Sequence, residues 1–406
     1  MENTKVNLAN QLDPFLALRG LACLVVILYH VAPPKNSIIY QKYDFSWILF
    51  GHGYVAVLVF FCLSGYLMGK AFYSGRYTLE LTGILNFWRN RILRIFPLYY
   101  FNILILSVFV YTNILQINNW GYLLRLCSFT YNQSLDFEFS GSFWSLSTEV
   151  QFYIIVPLIY AVIKDRIQTK KQVILCFLAI LLLVFILRVS LTHIFNTQQV
   201  YLNYIRYIYT PLITNIDVFT CGFLVNAWFS CKTKTNPNEN KIMYFLLNLS
   251  SKSKKVLAFL LVIILFAFTA YYYYYQKPGQ SVVYPAATAI ITSLFIGLFE
   301  SSNNQESFPK NQKLSFGAIR RNPIRILEVA GILSYGVYLW HQAILAKITP
   351  IITSSNPVEL FWLKLIGTLL LSTVLATVTY YAIELPAARC KLYRISAKTD
   401  HSTSCS

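Results

Sequence analysis

Ten stretches of about twenty mostly apolar residues recur along the chain, at 12–31, 50–69, 93–113, 144–163, 173–190, 205–228, 255–275, 281–299, 327–349 and 360–382. At about 1.5 Å per helical residue, each is close to the roughly 30 Å of hydrocarbon in a bilayer. Inside lipid a backbone amide has no water to bond, so a segment of this kind closes its hydrogen bonds within itself, as a helix. The expected fold is therefore all-α, a polytopic membrane protein with about ten transmembrane helices. With 56% of residues hydrophobic and 12% charged, no soluble domain remains once the spans are removed. No internal repeat is visible, which counts against a secondary transporter built from inverted halves.

The formal charge of +18 raises nucleic acid as a partner, but the basic residues form no arm or single face. They alternate with the spans instead. With the N-terminus inside, and with Arg94, Arg188, Arg206 and Lys255 at span ends counted on the sides they adjoin, 25 of the 34 lysines and arginines fall on inner segments and three within spans. Only Lys35, Lys42, Arg125, Arg188, Arg206 and Lys277 fall on outer ones. This asymmetry follows the positive-inside rule and predicts both termini in the cytoplasm. The first span holds Arg19, exceeds an h-region in length and lacks a small-x-small cleavage site, so it is expected to stay as a helix rather than be removed. Eight cysteines are scattered without a C-x-x-C pair, which predicts neither a metal site nor a disulfide framework. Residues 1–388 are expected to form one membrane domain, and 389–406 a basic, disordered cytoplasmic tail. The inner connectors 230–254 and 301–326 read as solvated. The outer one, 114–143, carries Trp120, Tyr122, Tyr131, Asp136 and Glu138 and suits contact with a polar ligand.

Chemistry inside such a bundle is sought among its charged and titratable residues, because each is costly to insert. Asp13-Pro14 reads as an N-cap followed by proline at the first helical position. Arg19 and His30 lie eleven residues apart, about three turns, on nearly one face of the first helix. Gly20 beside Arg19 leaves room for a neighbour's backbone. His30, at the outer end, has a side chain suited to general-base work near neutral pH, and His52 is a second candidate of the same type. Ser64-Gly65 in the second span reads as a packing element. Arg91 and Arg94, spaced i,i+3 with Arg89 close behind, suit either phosphate binding at the inner surface or ordinary interfacial anchoring. Glu149, in the first turns of an outside-to-inside helix, is favoured there by the helix dipole and is also a candidate to orient His30. His341 sits in mid-helix as a further base candidate.

Taken in order, these stretches resemble the acyltransferase-3 family of integral membrane acyltransferases over nearly the whole chain. Arg19 and His30 match its Arg-x10-His element, and Phe61 to Tyr66 its F-x-L-S-G-[FY] element. Arg91, Arg94 and Pro97 match R-x-x-R-I-x-P, while Trp144-Ser145-Leu146 with Glu149 and Gln151-Phe152-Tyr153 match W-S-L-x-x-E-x-Q-F-Y. Tyr335 to His341 is similar to S-Y-x-x-Y-L-x-H, and Glu384-Leu385-Pro386 to the closing E-x-P. The resemblance implies a bacterial inner-membrane enzyme that transfers an acyl group, commonly acetyl, from cytosolic acyl-CoA to a sugar hydroxyl of lipopolysaccharide, O-antigen, exopolysaccharide, peptidoglycan or a glycoside. It implies no tightly bound cofactor, with acetyl-CoA or another acyl-CoA as donor substrate, and partners limited to donor, glycan acceptor and bilayer. His30, Glu149 and Arg19 are then the expected catalytic set, and Arg91, Arg94, Arg89 and Ser64 the donor-binding set. His341, Trp144, Ser145 and His52 are secondary candidates, and no metal is expected. Some members carry an added esterase-like domain; this sequence has no room for one, so the membrane domain is expected to complete the transfer. The alternative is a transporter or flippase of a lipid-linked sugar or small anion, with Arg19 and His30 lining its path.

Overall fold

Asp13 does what its position predicts: its Oδ1 accepts from the amides of Phe15 at 2.9 Å and Leu16 at 3.1 Å, and Pro14 opens the first helix. The structure is a computed structural model that describes residues 12–132, 139–231, 249–276, 279–300, 319–320 and 322–390. Asp136, Glu138, most of the two inner connectors and residues 391–406 lie outside the described residues. In chain order come α1 (Pro14–Val31), a hairpin of β1 (Ile39–Tyr40) and β2 (Tyr43–Asp44), α2 (Gly53–Tyr73), α3 (Leu81–Phe109), α4 (Trp120–Cys127) and α5 (Phe143–Arg166). There follow α6 (Lys170–Ile194), α7 (Tyr201–Tyr204), α8 (Ile216–Ser230), α9 (Ser251–Tyr274), α10 (Gln280–Glu300), α11 (Ile326–Ile348) and α12 (Pro357–Thr379). In the hairpin, Ile39 faces Asp44 and Tyr40 faces Tyr43.

Among the described residues nine helices are long and apolar enough to span a membrane, one fewer than expected. The sixth expected span is broken. Only α8, fifteen residues or about 22 Å, is regular there. Pro211 supplies no amide; the Thr210 amide and hydroxyl both donate to the Ile205 carbonyl, at 3.2 and 3.0 Å, and the Thr214 hydroxyl donates to that of Ile208 at 2.7 Å. The third span begins twelve residues early, at Leu81, because Asn86, Arg89, Asn90 and Arg91 mask a helical stretch in the hydropathy pattern. Its 29 residues reach about 43 Å, more than the hydrocarbon requires, so the polar N-terminal turns extend past the span that hydropathy marks. Helix α4 and the hairpin were not expected within their connectors.

The chain divides into two compact units. The first comprises Met1–Lys70, Lys164–Val189 and Asn215–Ser334. It is built on two pairs of facing glycines. A Cβ on Gly20 would strike the Leu327 carbonyl oxygen, and one on Gly331 would strike that of Leu16. On α2 and α8 the same relation joins Gly65 to Phe219 and Gly222 to Cys62. Small residues let helix backbones touch where lipid gives no hydrophobic drive. Asn226 Nδ2 donates to the Tyr66 carbonyl at 2.8 Å, and the Phe61 and Phe219 rings stack at 4.3 Å.

Arg188, assigned from sequence to the outer cations, is instead wholly buried in this unit. Its Nη1 and Nη2 donate to Asp217 Oδ2 at 2.9 Å and Oδ1 at 2.6 Å. Tyr54 OH donates to Asn215 Oδ1 at 2.8 Å in the same buried group. The reassignment has a simple cause: α6 runs four residues beyond its predicted end, and a buried arginine needs a paired acid that lies 29 residues away in sequence.

The second unit comprises Ala71–Ile163, Ser190–Thr214 and Tyr335–Ser406. Helices α3 and α5 are joined by Trp88 Nε1, which donates to the Tyr153 carbonyl at 3.1 Å. The short helix α4 is tied down by Tyr99 and Tyr100, whose hydroxyls donate to the carbonyls of Leu126 at 2.9 Å and Cys127 at 2.8 Å. Gln151 Nε2 donates to the Phe129 carbonyl at 2.9 Å.

Candidate active site

In the first unit one face of α1 carries Arg19, Cys23, Val26 and His30, spaced by four, three and four residues. Arg19 Nη2 donates to Ser334 Oγ at 3.4 Å, and its guanidinium lies 6.0 Å from the Phe60 ring centre. Cys23 Sγ donates to the Ser334 carbonyl at 3.7 Å. His30 Nδ1 lies 2.9 Å from the Val26 carbonyl, one turn back. A carbonyl only accepts, so neutral His30 carries its proton on Nδ1 and its lone pair on Nε2. That is the tautomer of a base acting through Nε2, held by its own helix. Tyr29 meets His30 edge-on at 5.2 Å and stacks on His52 at 5.4 Å. His52 is further enclosed by Tyr273 at 4.7 Å and Tyr284 at 4.9 Å, which makes it a packed ring rather than an exposed base. Ser64 is buried on α2.

The second unit gathers residues from four separate sequence elements. Arg91 is buried, its guanidinium 5.9 Å from the ring centres of both Phe87 and Tyr153. It interacts with the Tyr77 hydroxyl and the Arg94 charge, and Asn90 Nδ2 donates to Tyr77 OH at 2.7 Å. Among the described residues Arg91 makes no ion pair, and its Nε has no hydrogen-bond partner. Arg94 is exposed and Arg89 half-buried on the same helix. Tyr153, one turn beyond Glu149, donates its hydroxyl to Glu149 Oε1 at 2.5 Å. Tyr335 OH donates to the Ile95 carbonyl at 2.7 Å and feels the charges of Glu149 and Glu384. Arg91, Arg94, Glu149, Tyr153, Tyr335 and Glu384 thus share one neighbourhood. His30 belongs to the other unit, with its own orienting carbonyl.

A third group lies where α5 begins. Ser145 Oγ and Tyr338 OH are 2.6 Å apart, and Gln342 Oε1 accepts from the Ser142 amide at 3.1 Å and Ser140 Oγ at 3.3 Å. His341 is fully buried with Nδ1 2.6 Å from the Tyr338 carbonyl, the same tautomer as His30. The Trp144 ring packs on Tyr209 at 4.6 Å. Sequence reasoning overlooked Asn102 in α3, which is fully buried with neither amide atom partnered, and Trp340, whose Nε1 is likewise unpartnered. Leaving such groups unsatisfied costs about 1–3 kcal/mol each. Asn102 carried a weak signal, a lone amide in an otherwise apolar run. The Glu149 to Tyr153 link was the more legible of the missed contacts, being an i,i+4 pair on a helix.

A family model for an acyltransferase domain, Acyl_transf_3, matches residues 13–381. The chain is 24% identical over 395 residues to the YrhL protein of Bacillus subtilis (strain 168), covering 91% of this chain and 54% of that protein. It is 24% identical over 356 residues to the peptidoglycan O-acetyltransferase OatA of Listeria monocytogenes, covering 84% and 50%. It is 25% identical over 169 residues to the O-acetyltransferase OatA of Staphylococcus aureus (strain NCTC 8325 / PS 47), covering 38% and 25%. The chain therefore spans about half the length, or less, of these curated relatives. No solved structure matches it. With the family match running from the cap of α1 to the end of α12, the chain belongs to the acyltransferase-3 family of membrane acyltransferases.

Proposed function

We propose that this acyltransferase moves an acyl group, acetyl foremost, from cytosolic acyl-CoA to a hydroxyl of a cell-surface glycan or glycolipid. The observation that carries the reading is Arg91: a buried guanidinium beside a second arginine, backed by two rings and with no ion pair among the described residues. Such a charge is costly to keep unless an anion completes it, and the phosphates of CoA are suited to a pair of arginines. The names of the Listeria and Staphylococcus relatives favour an O-acetyl product, and the former favours peptidoglycan among the glycans.

In this reading His30 Nε2 removes the proton of the acceptor hydroxyl as its oxygen attacks the thioester carbonyl. The C–O bond forms, the C–S bond breaks, and the proton passes to the departing CoA sulfur. Arg19, three turns away on the same face, holds the thioester end of the donor. Arg91 and Arg94, with Arg89 beside them, hold its phosphates, and Glu149 acts on Arg91 through the Tyr153 ring that it fixes. Ser64 packs within the first unit and Ser145, Trp144 and His341 within the second, and Asn102 is a hydrogen-bonding position for the acceptor.

Mass spectrometry of surface glycans tests the reading in cells with the intact protein, with none, and with only His30→Ala. An acetyl-sized mass on a glycan fragment is expected with the intact protein alone. Near-normal transfer by His30→Ala would remove the base assignment. An unchanged glycan profile in all three would favour transport without covalent chemistry.

A further inference from the structure

An apolar groove of about 420 Å³ lies within the first unit, walled by α6, α8, α9 and α10. Phe177, Trp228, Leu261, Ser293, Leu294 and Gly297 mark its walls. It is as large as many small-molecule sites, yet Ser293 contributes its one lining hydroxyl, and that hydroxyl lies 3.6 Å from Cys62 Sγ. A polar substrate would find little to bond beyond that hydroxyl and the Trp228 indole N–H. A hydrocarbon chain would fit.

Two further observations identify the occupant. Every lining residue falls within about eleven residues, roughly 16 Å, of the end of its helix that the lysine and arginine distribution assigns to the cytoplasm. The groove therefore occupies the depth of the inner leaflet. Its cytoplasmic end is cationic: Lys170 and Lys171 open α6, and Lys252, Lys254 and Lys255 open α9. Lys170 Nζ sits 5.3 Å from the ring centre of Trp228, so one side chain is shared between the groove wall and the charged rim.

Gly297 is the second. It stands in the interior of α10, where alanine would suit a helix better, and a Cβ built there meets nothing within 4 Å. Nothing crowds the backbone at this point, unlike at Gly20 or Gly65. What glycine preserves is the space itself.

We propose that this groove holds one acyl chain of an anionic phospholipid of the inner leaflet, with the lipid phosphate held by Lys170 and the lysines that open α9. The site is independent of the acyl-transfer reading, because it requires no turnover.

The test uses the purified full chain in phosphatidylcholine vesicles doped with brominated-chain phosphatidylglycerol or, at equal mole fraction, brominated-chain phosphatidylcholine. The Trp228 signal is taken as the difference between the wild type and Trp228→Phe. Bromine on the anionic lipid should quench it several times more effectively, with apparent affinities about fivefold apart for each lysine engaged. Lys170→Gln should reduce that ratio by about fivefold. Gly297→Leu should fill the groove and weaken quenching by both lipids, with its thermal unfolding at or above that of the wild type; Gly297→Ala serves as the milder version. Equal quenching by the two lipids, or undiminished quenching in a folded Gly297→Leu, would overturn the proposal. So would displacement of the brominated anionic lipid by a long-chain acyl-CoA and not by excess unbrominated phosphatidylglycerol, which would assign the groove to the donor.

Discussion

Among the described residues three arginines are buried, and two of them, Arg188 and Arg91, are buried differently. Arg188 reaches Asp217 through two parallel hydrogen bonds of 2.9 and 2.6 Å, with both side chains fully enclosed. Its charge is neutralised where it lies. Arg91 is almost as enclosed, yet it lies between the rings of Phe87 and Tyr153 with another arginine nearby and no ion pair among the described residues. A paired buried charge holds helices in register, whereas an unpaired one is kept against a standing cost. On the function proposed above, the contrast separates a charge that serves the fold from one that serves a ligand.

The largest effect should come from breaking the closed pair. Arg188→Leu leaves Asp217 buried and alone, and should lower stability by about 3–5 kcal/mol, seen as loss of the monodisperse detergent-solubilised protein. Replacing both, Arg188→Leu with Asp217→Leu, should recover most of that loss. Arg91→Leu should behave in the opposite way, unfolding at or above the wild-type temperature because an uncompensated charge has gone. A cruder break is Gly65→Ala, whose methyl group would meet the Phe219 backbone; about 1–3 kcal/mol is expected in thermal unfolding. Asn102→Leu sharpens the comparison on the polar side: removing an unsatisfied buried amide should stabilise by about 1–2 kcal/mol while acyl transfer falls.

The smallest effect concerns the β1–β2 hairpin. Hydrogen bonds from Ser46 and Tyr274 hold the Asp44 carboxyl below the usual carboxylate range. A depressed folded-state value means that its contribution is present at neutral pH and is lost as pH falls through that value, below about 3.9. The small difference in thermal unfolding between the wild type and Asp44→Asn at pH 7 should therefore close in acid.

Much of this was legible in the chain itself, because the long apolar runs and the Asp13-Pro14 cap act locally. Gly20 and Gly65 were readable as close approaches for the same reason, although the partners Gly331 and Gly222 were not. The failures have a common physical origin. The third helix starts early because polar residues at 86–91 continue a helix that hydropathy alone cannot see. The sixth span breaks at Pro211, which supplies no amide, with the Thr210 and Thr214 hydroxyls adding bonds to the carbonyls before it. Arg188 was assigned to the surface because its acid partner is 29 residues distant, and no local pattern announces a tertiary ion pair. For the site, the motifs nominated Arg91, Arg94 and Glu149 separately. What they could not supply was Tyr153 as the group between arginine and carboxylate, or the Val26 carbonyl as the partner of His30.

The most direct measurement is equilibrium binding of CoA to the purified protein, wild type against Arg91→Leu, with thermal unfolding recorded on the same samples. The account predicts a loss of affinity of about tenfold to a hundredfold, the scale of one charge-assisted phosphate contact, in a protein that unfolds no earlier than the wild type. Unchanged CoA affinity, or instability like that of Arg188→Leu, would contradict it and return Arg91 to the fold.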